Sequence, residues 1–430
     1  MKLWEKQTTA LDRRIEAFTI GRDRELDIAL APYDVRASIA HAQMLGECGI
    51  IPADHAAQLV AQLQHITEQI EAGRFRIADG IEDVHSQLEL ELINALGTIG
   101  ENIHTARSRN DQVLTALALL IRDRISQTTR QIAAFAESML SWAQKHRRIL
   151  MPGMTHMQAA MPTTFGLWML AFAESLLEDI AFFDPVARLT DKNPLGTAAG
   201  YGSSFPIDRR RTAALLGFSQ IVASPAAAQL LRGKLERAVA FALASVSATL
   251  ARLALDVVLS LSPGYQLLRL PSQFSTGSSI MPHKQNPDVF ELLRARFNRL
   301  QVLPHDISAV TTNLPSGYHR DYQLLKELLL PAWDDFDECL SIASLVLPNI
   351  EPVEGALDRP EFRAIWSVEH IHAQMRTSGE SFRSAYRTIA HAIESSPNET
   401  IGGNADYLYA LEDEACAEIE RRLQTIVNGL

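Results

Sequence analysis

Residues 111–145, DQVLTALALLIRDRISQTTRQIAAFAESMLSWAQK, decide the fold. Neither Gly nor Pro occurs from here to Met151, and apolar residues recur at helical spacing, so we predict one very long helix. Two further long helices are predicted over residues 226–262, where the only breaker is Gly233, and from residue 318 towards 347. Helices of this length are stable in water only when other elements pack along their sides.

Strand-like alternation of apolar and polar residues is scarce in the chain, which indicates an all-α protein. The long helices predict an elongated central helical bundle over residues 107–353. Shorter amphipathic helices, separated by Gly and Pro, predict a smaller N-terminal helical domain over residues 1–106. A more polar segment with shorter helices predicts a C-terminal helical domain over residues 354–430. The expected architecture is a central bundle with a helical cap at each end.

The charge of the chain excludes some classes of partner. The 40 Lys and Arg residues face 51 Asp and Glu residues, so the formal net charge is −11, and neither sign forms a long run. Nucleic acid and anionic membranes reward a concentrated basic face, so we expect neither as a partner. The most apolar stretch, residues 238–251, is shorter than the roughly 20 residues that span a bilayer, and we interpret it as a buried core helix.

The three cysteines, Cys48, Cys339 and Cys416, lie far apart, and none is in a CxxC motif. Neither a disulfide framework nor a structural zinc site is indicated, and a reducing compartment suits such a chain. The N-terminal residues MKLWEKQTTALDRR contain no apolar core of a secretory signal. We therefore predict a cytoplasmic protein.

Residues 104–112, HTARSRNDQ, form the first of four polar clusters. Arg107 and Arg109 stand two apart, and Asn110 and Asp111 are possible N-caps of the long helix. Guanidinium groups beside free backbone N–H groups at a helix start bind carboxylates well, so a carboxylate site is one interpretation. The alternative interpretation is a solvated, capped helix end.

Residues 151–158, MPGMTHMQ, form the second cluster. Thr155 and His156 are expected in a turn flanked by apolar residues. His156 could transfer protons if a partner sets its pKa, and the alternative is a structural histidine. No second His or Cys lies nearby at metal-ligand spacing, so we predict no metal site here.

Residues 275–288, STGSSIMPHKQNPD, form the third cluster. Asn286 and Pro287 predict the N-cap and the first residue of a shorter helix. Lys284 and the backbone N–H groups at that helix start would stabilise developing negative charge, and the hydroxyl of Ser278 could approach a ligand. The alternative is a mobile surface loop without a chemical role.

Residues 314–326, LPSGYHRDYQLLK, form the fourth cluster. If the helix starts at Tyr318, then Gln323 and Lys326 share a face, which suits a polar ligand, and a solvated helix face is the alternative. Two further motifs are interpreted without a site. The glycine-rich residues 196–205 are expected to form a connecting loop in preference to an anion cradle. The two histidines of EHIH diverge on a helix, so we predict no metal site there.

Taken together, the four clusters resemble the fumarase and aspartase superfamily, and within it most closely the argininosuccinate lyase family. GSSIMPHKQNP resembles the signature loop of the superfamily. HTARSRNDQV, PGMTHMQ and LPSGYHRDYQLLK resemble the argininosuccinate lyase versions of its other regions, as do YDVRASIAHAQML, EDVHSQLELEL and GSSFPIDR. The resemblance covers nearly the whole chain.

The resemblance implies a β-elimination that splits argininosuccinate into arginine and fumarate without a cofactor or a metal ion. Ser278 and His156 would form the proton-transfer pair, with the choice of base left open, and Glu291 would orient the histidine. Lys284 and Asn286 would bind the carboxylate on which charge accumulates. The succinyl end would be held by Ser38, Arg109, Asn110 and Thr155, and the arginine end by Tyr318, Gln323 and Lys326.

The resemblance also implies a homotetramer whose long helices form one bundle, with each active site drawing residues from three chains. The helix of residues 226–262, apolar nearly all round in its middle, would bury its faces against neighbouring chains. The chain departs from the family pattern at four positions. Ala106 replaces a usual Gly, Met161 takes a position that is often polar, and His283 and Gln285 stand where many members have Gln and Lys.

Two other functions fit parts of the pattern. A related C–N lyase that acts on another N-substituted aspartate would keep the proton-transfer pair but would have less use for Tyr318, Gln323 and Lys326. A catalytically silent structural protein of the crystallin type would need only the fold. The retention of Ser278 and His156 argues against the second alternative.

Overall fold

The structure is a computed structural model that describes residues 12–396 and 399–429. It is mainly helical, which confirms the all-α class. The helices are α1 Arg13–Ile20, α2 Asp23–Leu26, α3 Ala31–Glu47, α4 Ala53–Glu71, α5 Val84–Leu96, α6 Thr98–Glu101, α7 Arg109–Lys145, α8 Phe165–Ile180, α9 Phe183–Thr190, α10 Arg209–Leu216, α11 Pro225–Leu230, α12 Lys234–Leu261, α13 Asp288–Leu300, α14 Leu303–Val310, α15 Leu324–Val346, α16 Ser367–Ser378, α17 Phe382–Ser395 and α18 Asp406–Gly429.

The strands are short and form four two-stranded pairs. They are β1 Leu150–Thr155, β2 Gln158–Thr164, β3 Lys192–Asn193, β4 Gln220–Ile221, β5 Leu268–Arg269, β6 Thr276–Gly277, β7 Gln285–Asn286 and β8 Glu351–Pro352. β3 and β4 pair in parallel, whereas β1 with β2, β5 with β8, and β6 with β7 are antiparallel.

The three long helices predicted from the sequence are present as α7, α12 and α15. Gly233, with φ 75°, separates α11 from α12, as its breaker character predicts. The prediction for α7 was too long, because the helix ends at Lys145 and Leu150 already belongs to β1. Arg148 turns the chain with φ 65°, and pairing with β2 stabilises the extended backbone that follows.

The chain forms two compact units, and each long helix has residues in both. Unit 1 contains Met1–Thr128, Phe182–Ala244 and Gln301–Asp335, and unit 2 contains Thr129–Ala181, Ser245–Leu300 and Phe336–Leu430. The three-domain division with boundaries after residues 106 and 353 stays a prediction.

In unit 1 the helices α3 and α4 pack against each other, and α3 also contacts α10. A core cluster of α3, α7 and α10 includes Ala37, Ala40, Leu119 and Leu216. Small alanines on α3 let the neighbouring backbones approach closely. This packing fixes the start of α7, which carries Arg109, beside the N-terminal helices.

His41 lies inside this packing and is fully buried on α3. Its Nε2 donates to the carbonyl of Thr105 at 2.8 Å. Burial, with the nearby charge of Arg107 and a smaller opposing effect of that hydrogen bond, lowers the pKa of His41 from 6.5 to about 3. The imidazole is therefore neutral in the folded chain at every physiological pH.

We expect His41 to make the fold acid-sensitive. Its folded pKa is below its unfolded pKa, so the unfolded chain takes up the proton first, and stability falls as pH drops from 6.5 towards 3. The loss is about 1.4 kcal/mol per pH unit within that window. His41→Gln keeps an N–H donor for Thr105 without titrating. Thermal unfolding of both proteins between pH 7 and pH 4, at one protein concentration, should show a shallower decline for the variant. Parallel declines would contradict this.

In unit 2 the helix α18 packs along α8. Glu412 on α18 is fully buried, and its Oε2 accepts the backbone N–H of Arg148 at 3.1 Å. Gly166 on α8 faces the same carboxylate so closely that a Cβ there would lie 1.7 Å from Oε1 of Glu412. With 24 residues, α18 also contradicts the expectation that helices become shorter towards the C-terminus.

One stretch, Pro225–Leu261, which contains α11 and α12, is long and apolar enough to cross a membrane by length and composition. In its most apolar window, 56% is buried inside the structure. Val239, Leu243 and Val246 on α12 are fully buried. These positions agree with the core helix predicted for residues 238–251.

Candidate active site

Five of the residues predicted to bind substrate line one cavity in unit 1, with a volume of about 160 Å³. These five are Arg109, Asn110, Tyr318, Gln323 and Lys326, and the other lining residues are Asp23, Asp27, Glu82, Asp83, His85, Val113, Arg232 and Arg320. Four of the lining side chains are carboxylates, and four are guanidinium or ammonium groups. The cavity therefore suits a ligand that carries both signs of charge.

The start of α7 places Arg109 and Asn110 in this cavity. Ser108 caps the helix, because its Oγ accepts the N–H of Asn110 at 3.3 Å while the carboxylate of Asp111 accepts the N–H of Ser108 at 3.0 Å. The sequence-based choice of Asn110 or Asp111 as the N-cap was therefore wrong. The helix begins earlier because this reciprocal capping satisfies its first N–H groups.

Arg109 is oriented by two acidic residues that the sequence reasoning did not single out. Its Nη1 lies 3.3 Å from Oε2 of Glu82 and 3.3 Å from Oδ2 of Asp83. The other oxygen of Glu82 accepts from Nη2 of Arg320 at 2.6 Å. Glu82 thus holds two guanidinium groups at once, and it fixes where Arg109 points.

Asp83 also caps α5, because its side chain accepts the N–H of Ser86 at 2.8 Å. Burial alone raises the pKa of this carboxyl group, but the charges of His85 and Arg109 and the bonds from Ser86 outweigh it, so the pKa lies below its usual value. A charged Asp83 next to Arg109 keeps that part of the cavity wall electrostatically balanced.

His85, the second residue of α5, is buried in the same cavity wall. Its Nδ1 lies 2.9 Å from the buried carboxylate of Asp34, which also accepts two contacts from Gln112. Burial lowers the pKa of His85, but the charge and hydrogen bond of Asp34 dominate, so the pKa is raised. Among the described residues, Nε2 of His85 has no hydrogen-bond partner. The motif EDVH, residues 82–85, was the sequence signal for His85 and its acidic neighbours.

Lys326 is buried in the cavity wall. Its side chain is only 6% exposed, and Nζ lies 2.7 Å from Asp23 and 2.5 Å from Asp27. Burial lowers the pKa of Lys326, but the two aspartates raise it further than burial lowers it. Burial raises the pKa of Asp23 to about 6 despite the nearby Lys326. Lys326 therefore anchors α2 and the turn after it to the start of α15.

Gln323 and Tyr318 complete this wall. The fourth cluster is helical only from Arg320, where a 3₁₀ turn begins, so Tyr318 precedes the helix instead of starting it as predicted. The amide Nε2 of Gln323 donates to the carbonyls of Thr19 and Ile20 at 3.0 and 2.7 Å. Gln323 consequently ties the end of α1 to the cavity wall.

Ser38 does not line this cavity. It is fully buried on α3, and its Oγ accepts a hydrogen bond of 3.0 Å from Nη1 of the buried Arg107. Its assignment to the succinyl end of a substrate stays a prediction. In the chain itself, Ser38 holds Arg107 two residues before Arg109.

The glycine-rich loop of residues 196–205 does surround an anion, but that anion is Asp111 of the same chain. Oδ2 of Asp111 accepts the N–H groups of Gly196 and Ala198 at 2.8 and 2.7 Å. Burial raises the pKa of Asp111, although its backbone hydrogen bonds oppose the shift. The loop therefore connects elements, as predicted, and it locks the first turn of α7.

Unit 2 carries the second and third clusters. β1 and β2 form a hairpin in which Thr155 pairs with Gln158, so His156 and Met157 are the two turn residues. Both have left-handed backbones, with φ 52° and 60°, which is the geometry of a type I′ turn. Thr155 and His156 are exposed at the tip of this hairpin, as the predicted turn requires.

The third cluster folds as a smaller hairpin, because β6 pairs with β7. Asn286 lies in β7, and α13 begins at Asp288, so the predicted cap at Asn286 and helix start at Pro287 were wrong by one residue. The backbone pairing of Asn286 with Thr276 takes the place of capping. Lys284 and Glu291 are exposed on either side of this junction, and His283 is exposed beside Lys284.

Ser278 lies in the turn of this hairpin and is half-buried. Its Oγ accepts the backbone N–H groups of Ile280 and Met281 at 3.4 and 3.1 Å. Two N–H dipoles aimed at one hydroxyl oxygen favour the negatively charged form of that oxygen. The turn therefore polarises the hydroxyl group of Ser278.

Comparison with known proteins identifies the family of the chain. A family model described as Lyase matches residues 3–301. Argininosuccinate lyase of Phocaeicola vulgatus is 46% identical over 393 residues, which cover 91% of this chain and 88% of that protein. The chain belongs to the argininosuccinate lyase family. Argininosuccinate lyase of Xanthomonas euvesicatoria pv. vesicatoria is 38% identical over 396 residues, covering 91% of this chain and 90% of that protein.

Solved structures of more distant proteins have the same fold as this chain. A variant of EDDS lyase with bound fumarate superposes with a TM-score of 0.73 at 21% identity, covering 98% of this chain and 93% of that chain. A fumarate lyase (delta crystallin) from Brucella melitensis bound to cobalt gives a TM-score of 0.70 at 18% identity, covering 92% and 91%. These likenesses support the all-α class.

Two departures from the argininosuccinate lyase pattern now have a structural context. Ala106 has φ 61°, so the residue that replaces a usual glycine occupies the left-handed region that glycine tolerates best. A cost of about 1–2 kcal/mol is typical for a residue with a Cβ in that region. Met161 lies on β2, exposed on the hairpin that carries His156.

Proposed function

We propose that the protein catalyses the elimination that splits argininosuccinate into arginine and fumarate. The family membership supports a carbon–nitrogen lyase with a small-molecule substrate. The observation that carries the specific substrate is the unit 1 cavity, where Tyr318, Gln323 and Lys326 meet Arg109 and Asn110. A lyase for a smaller N-substituted aspartate would have less use for these three residues.

Within the cavity, Arg109 and Asn110 bind a carboxylate of the succinyl end. Tyr318 and Gln323 bind the arginine end, and Lys326 positions that wall through Asp23 and Asp27. His85 offers its Nε2 as a further hydrogen-bonding group for the ligand. The mixed charges of the wall match a substrate that has carboxylates, an ammonium group and a guanidinium group.

In unit 2, Ser278 and His156 transfer the protons, and Glu291 orients the histidine. The two N–H groups on Oγ of Ser278 support the serine as the group that removes the Cβ proton. His156 then protonates the departing nitrogen. Lys284 and Asn286 stabilise the carboxylate that takes up the carbanion charge, and Thr155 binds the succinyl end. No cofactor or metal ion enters this scheme.

The oligomer in this proposal is a homotetramer with active sites shared between chains. Leu255 on α12, Leu292 on α13 and Leu345 on α15 are 39%, 63% and 58% exposed in the single chain. Apolar side chains on long helices are stabilised when another copy covers them. Light scattering on the purified protein should give four times the chain mass of 47.6 kDa. A monomer would contradict the shared site.

A cytoplasmic location belongs to the same proposal. Cys48 and Cys416 are free thiols, and Cys416 is buried. Free thiols persist in a reducing compartment.

The direct test of the proposed function is to mix the purified protein with argininosuccinate and to follow fumarate by its ultraviolet absorbance. Fumarate and arginine in equal amounts support the assignment. Turnover of EDDS or another N-substituted aspartate, without turnover of argininosuccinate, would replace it with the related C–N lyase. A folded tetramer that turns over neither would favour the structural alternative.

Glu82 offers a prediction about how the cavity works. Glu82→Gln keeps the side-chain shape but removes the charge that holds Arg109 and Arg320. Because Arg109 binds a substrate carboxylate in this proposal, we expect KM to rise about tenfold with a smaller change in kcat. Steady-state kinetics on argininosuccinate would measure both. Glu25→Gln removes an exposed ion pair with Arg22 in the same unit and is the matched control. Equal kinetics for all three proteins would contradict the role of Glu82.

A further inference from the structure

Unit 2 contains a second cavity, of about 610 Å³, which we call the C-terminal cavity. It is lined by one face of α16, the start of α18, the residues just before α18, and Met161 on β2. None of the residues assigned above to catalysis or substrate binding lines it. Among the described residues, no group of three or more His, Cys, Asp or Glu side chains is placed to hold a metal ion.

Two opposite charges face this cavity from a single helix. Glu369, Ala373 and Arg376 stand at positions i, i+4 and i+7 of α16, so they share one face. Seven residues of α-helix separate Glu369 from Arg376 by about 10.5 Å along the axis. A ligand with an extended chain can therefore contact both side chains along this face of α16.

The two charged groups still have free capacity for hydrogen bonds. Oε1 of Glu369 accepts the hydroxyl of Tyr407 at 2.5 Å, whereas Oε2 has no hydrogen-bond partner among the described residues. Arg376 is exposed, and it forms no hydrogen bond or ion pair with the residues that the structure describes, 12–396 and 399–429. The buried Oε2 of Glu369 is thus an unsatisfied acceptor in the cavity wall, and the exposed guanidinium of Arg376 is open to a ligand.

The remaining walls are held in place and add a second carboxylate. His370 lies 2.5 Å from the carbonyl of Gly402, and Gly403 packs so closely on Trp366 that a Cβ there would lie 2.1 Å from the ring. Asp406, the first residue of α18, presents its carboxylate to the cavity while Asn404 donates to it at 2.9 Å. Between the charges, Met161 and Ala373 contribute apolar surface.

We propose that the C-terminal cavity binds a basic α-amino acid, of which L-lysine is the simplest probe. Arg376 binds the α-carboxylate, Glu369 binds the side-chain cation, and the methylene chain lies against Met161 and Ala373. With Glu369 and Asp406 against Arg376, the wall favours a ligand with one carboxylate and two cationic groups. The inference stands on these walls and does not depend on the proposed lyase activity.

Titration calorimetry on the full-length protein tests the charges. L-lysine should bind, and L-norleucine, which has a similar chain but no side-chain cation, should bind at least about tenfold more weakly. Glu369→Gln and Arg376→Met should each weaken L-lysine binding about tenfold. Arg387→Met, on the exposed surface of α17, is the matched control and should bind like the wild type. Unchanged affinity in both cavity variants would overturn the proposal.

A second measurement, on the wild-type protein, locates the ligand even if Glu369→Gln or Arg376→Met fails to fold. With ¹³C-methyl-labelled methionine, the signal of Met161, assigned through Met161→Leu, should shift with L-lysine and not with L-norleucine. L-lysine that binds only in the unit 1 cavity would leave this signal unmoved, and that result would overturn the proposal. Loss of fumarate production would bear on the proposed function alone.

Discussion

Ser278→Ala is expected to lower kcat for argininosuccinate about 10³-fold, which is within the range for losing a proton-transfer group. Oγ is the atom that removes the Cβ proton in this scheme, and the N–H groups of Ile280 and Met281 polarise it. Substrate binding should change only a few-fold, because the carboxylate clamps lie on other residues. Stopped-flow fumarate absorbance gives the rate, and equilibrium titration of the inactive variant with argininosuccinate gives the affinity.

Ser275→Ala provides the control from the same hairpin. Oγ of Ser275 donates to the carbonyl of Ser272 at 3.1 Å. The substitution therefore removes a serine hydroxyl from the loop and leaves the proposed base in place. That variant should retain most of its turnover. If Ser278→Ala also retained near-normal turnover, the serine would have no part in the chemistry, and the base would have to be sought at His156.

His156→Asn is expected to lower kcat by about 10²- to 10³-fold, through loss of the acid for the departing nitrogen. Asparagine is the informative substitution because His156 has φ 52° in a type I′ turn, and asparagine tolerates left-handed backbone better than other residues with a side chain. The hairpin should therefore keep its shape. The rate is measured as fumarate release, and circular dichroism reports on the fold.

Met157→Asn makes the matched change at the other turn position, where φ is 60°, and should retain most of the activity. Loss of activity in both variants alike would assign the effect to the turn and not to the imidazole. Mixing Ser278→Ala with His156→Asn adds a test of shared sites. If the two residues of one site come from different chains, hybrid tetramers contain intact sites and recover measurable turnover, whereas separate sites within each chain recover none.

The long helices were predictable because a local property decides them. The absence of Gly and Pro from residues 111–145 and from most of 226–262 leaves helix as the only regular structure that long apolar stretches of this kind can adopt. Their ends were less predictable. Residues 146–149 contain no breaker either, and α7 stops before them because β1 pairs with β2, a contact that the local sequence does not reveal.

The same distinction applies to the site. Arg109, Tyr318, Gln323 and Lys326 were selected from motifs, and the fold brings them into one cavity. The partners that determine their behaviour lie far away in sequence, since Lys326 meets Asp27 across 299 positions. Charge pairs formed by the fold leave no periodic signal, so the contacts of Glu82 and Asp27 became recognisable only in three dimensions.

The contact of Glu412 with Arg148 and Gly166 has a consequence for biosynthesis. The two ends of the hairpin that carries His156 rest on one carboxylate, which follows Arg148 by 264 positions in the sequence. During translation the amide of Arg148 has no such acceptor until residue 412 leaves the exit tunnel, although the hairpin itself emerged more than two hundred residues earlier. The hairpin therefore reaches its final support only after more than two hundred further residues have been synthesised.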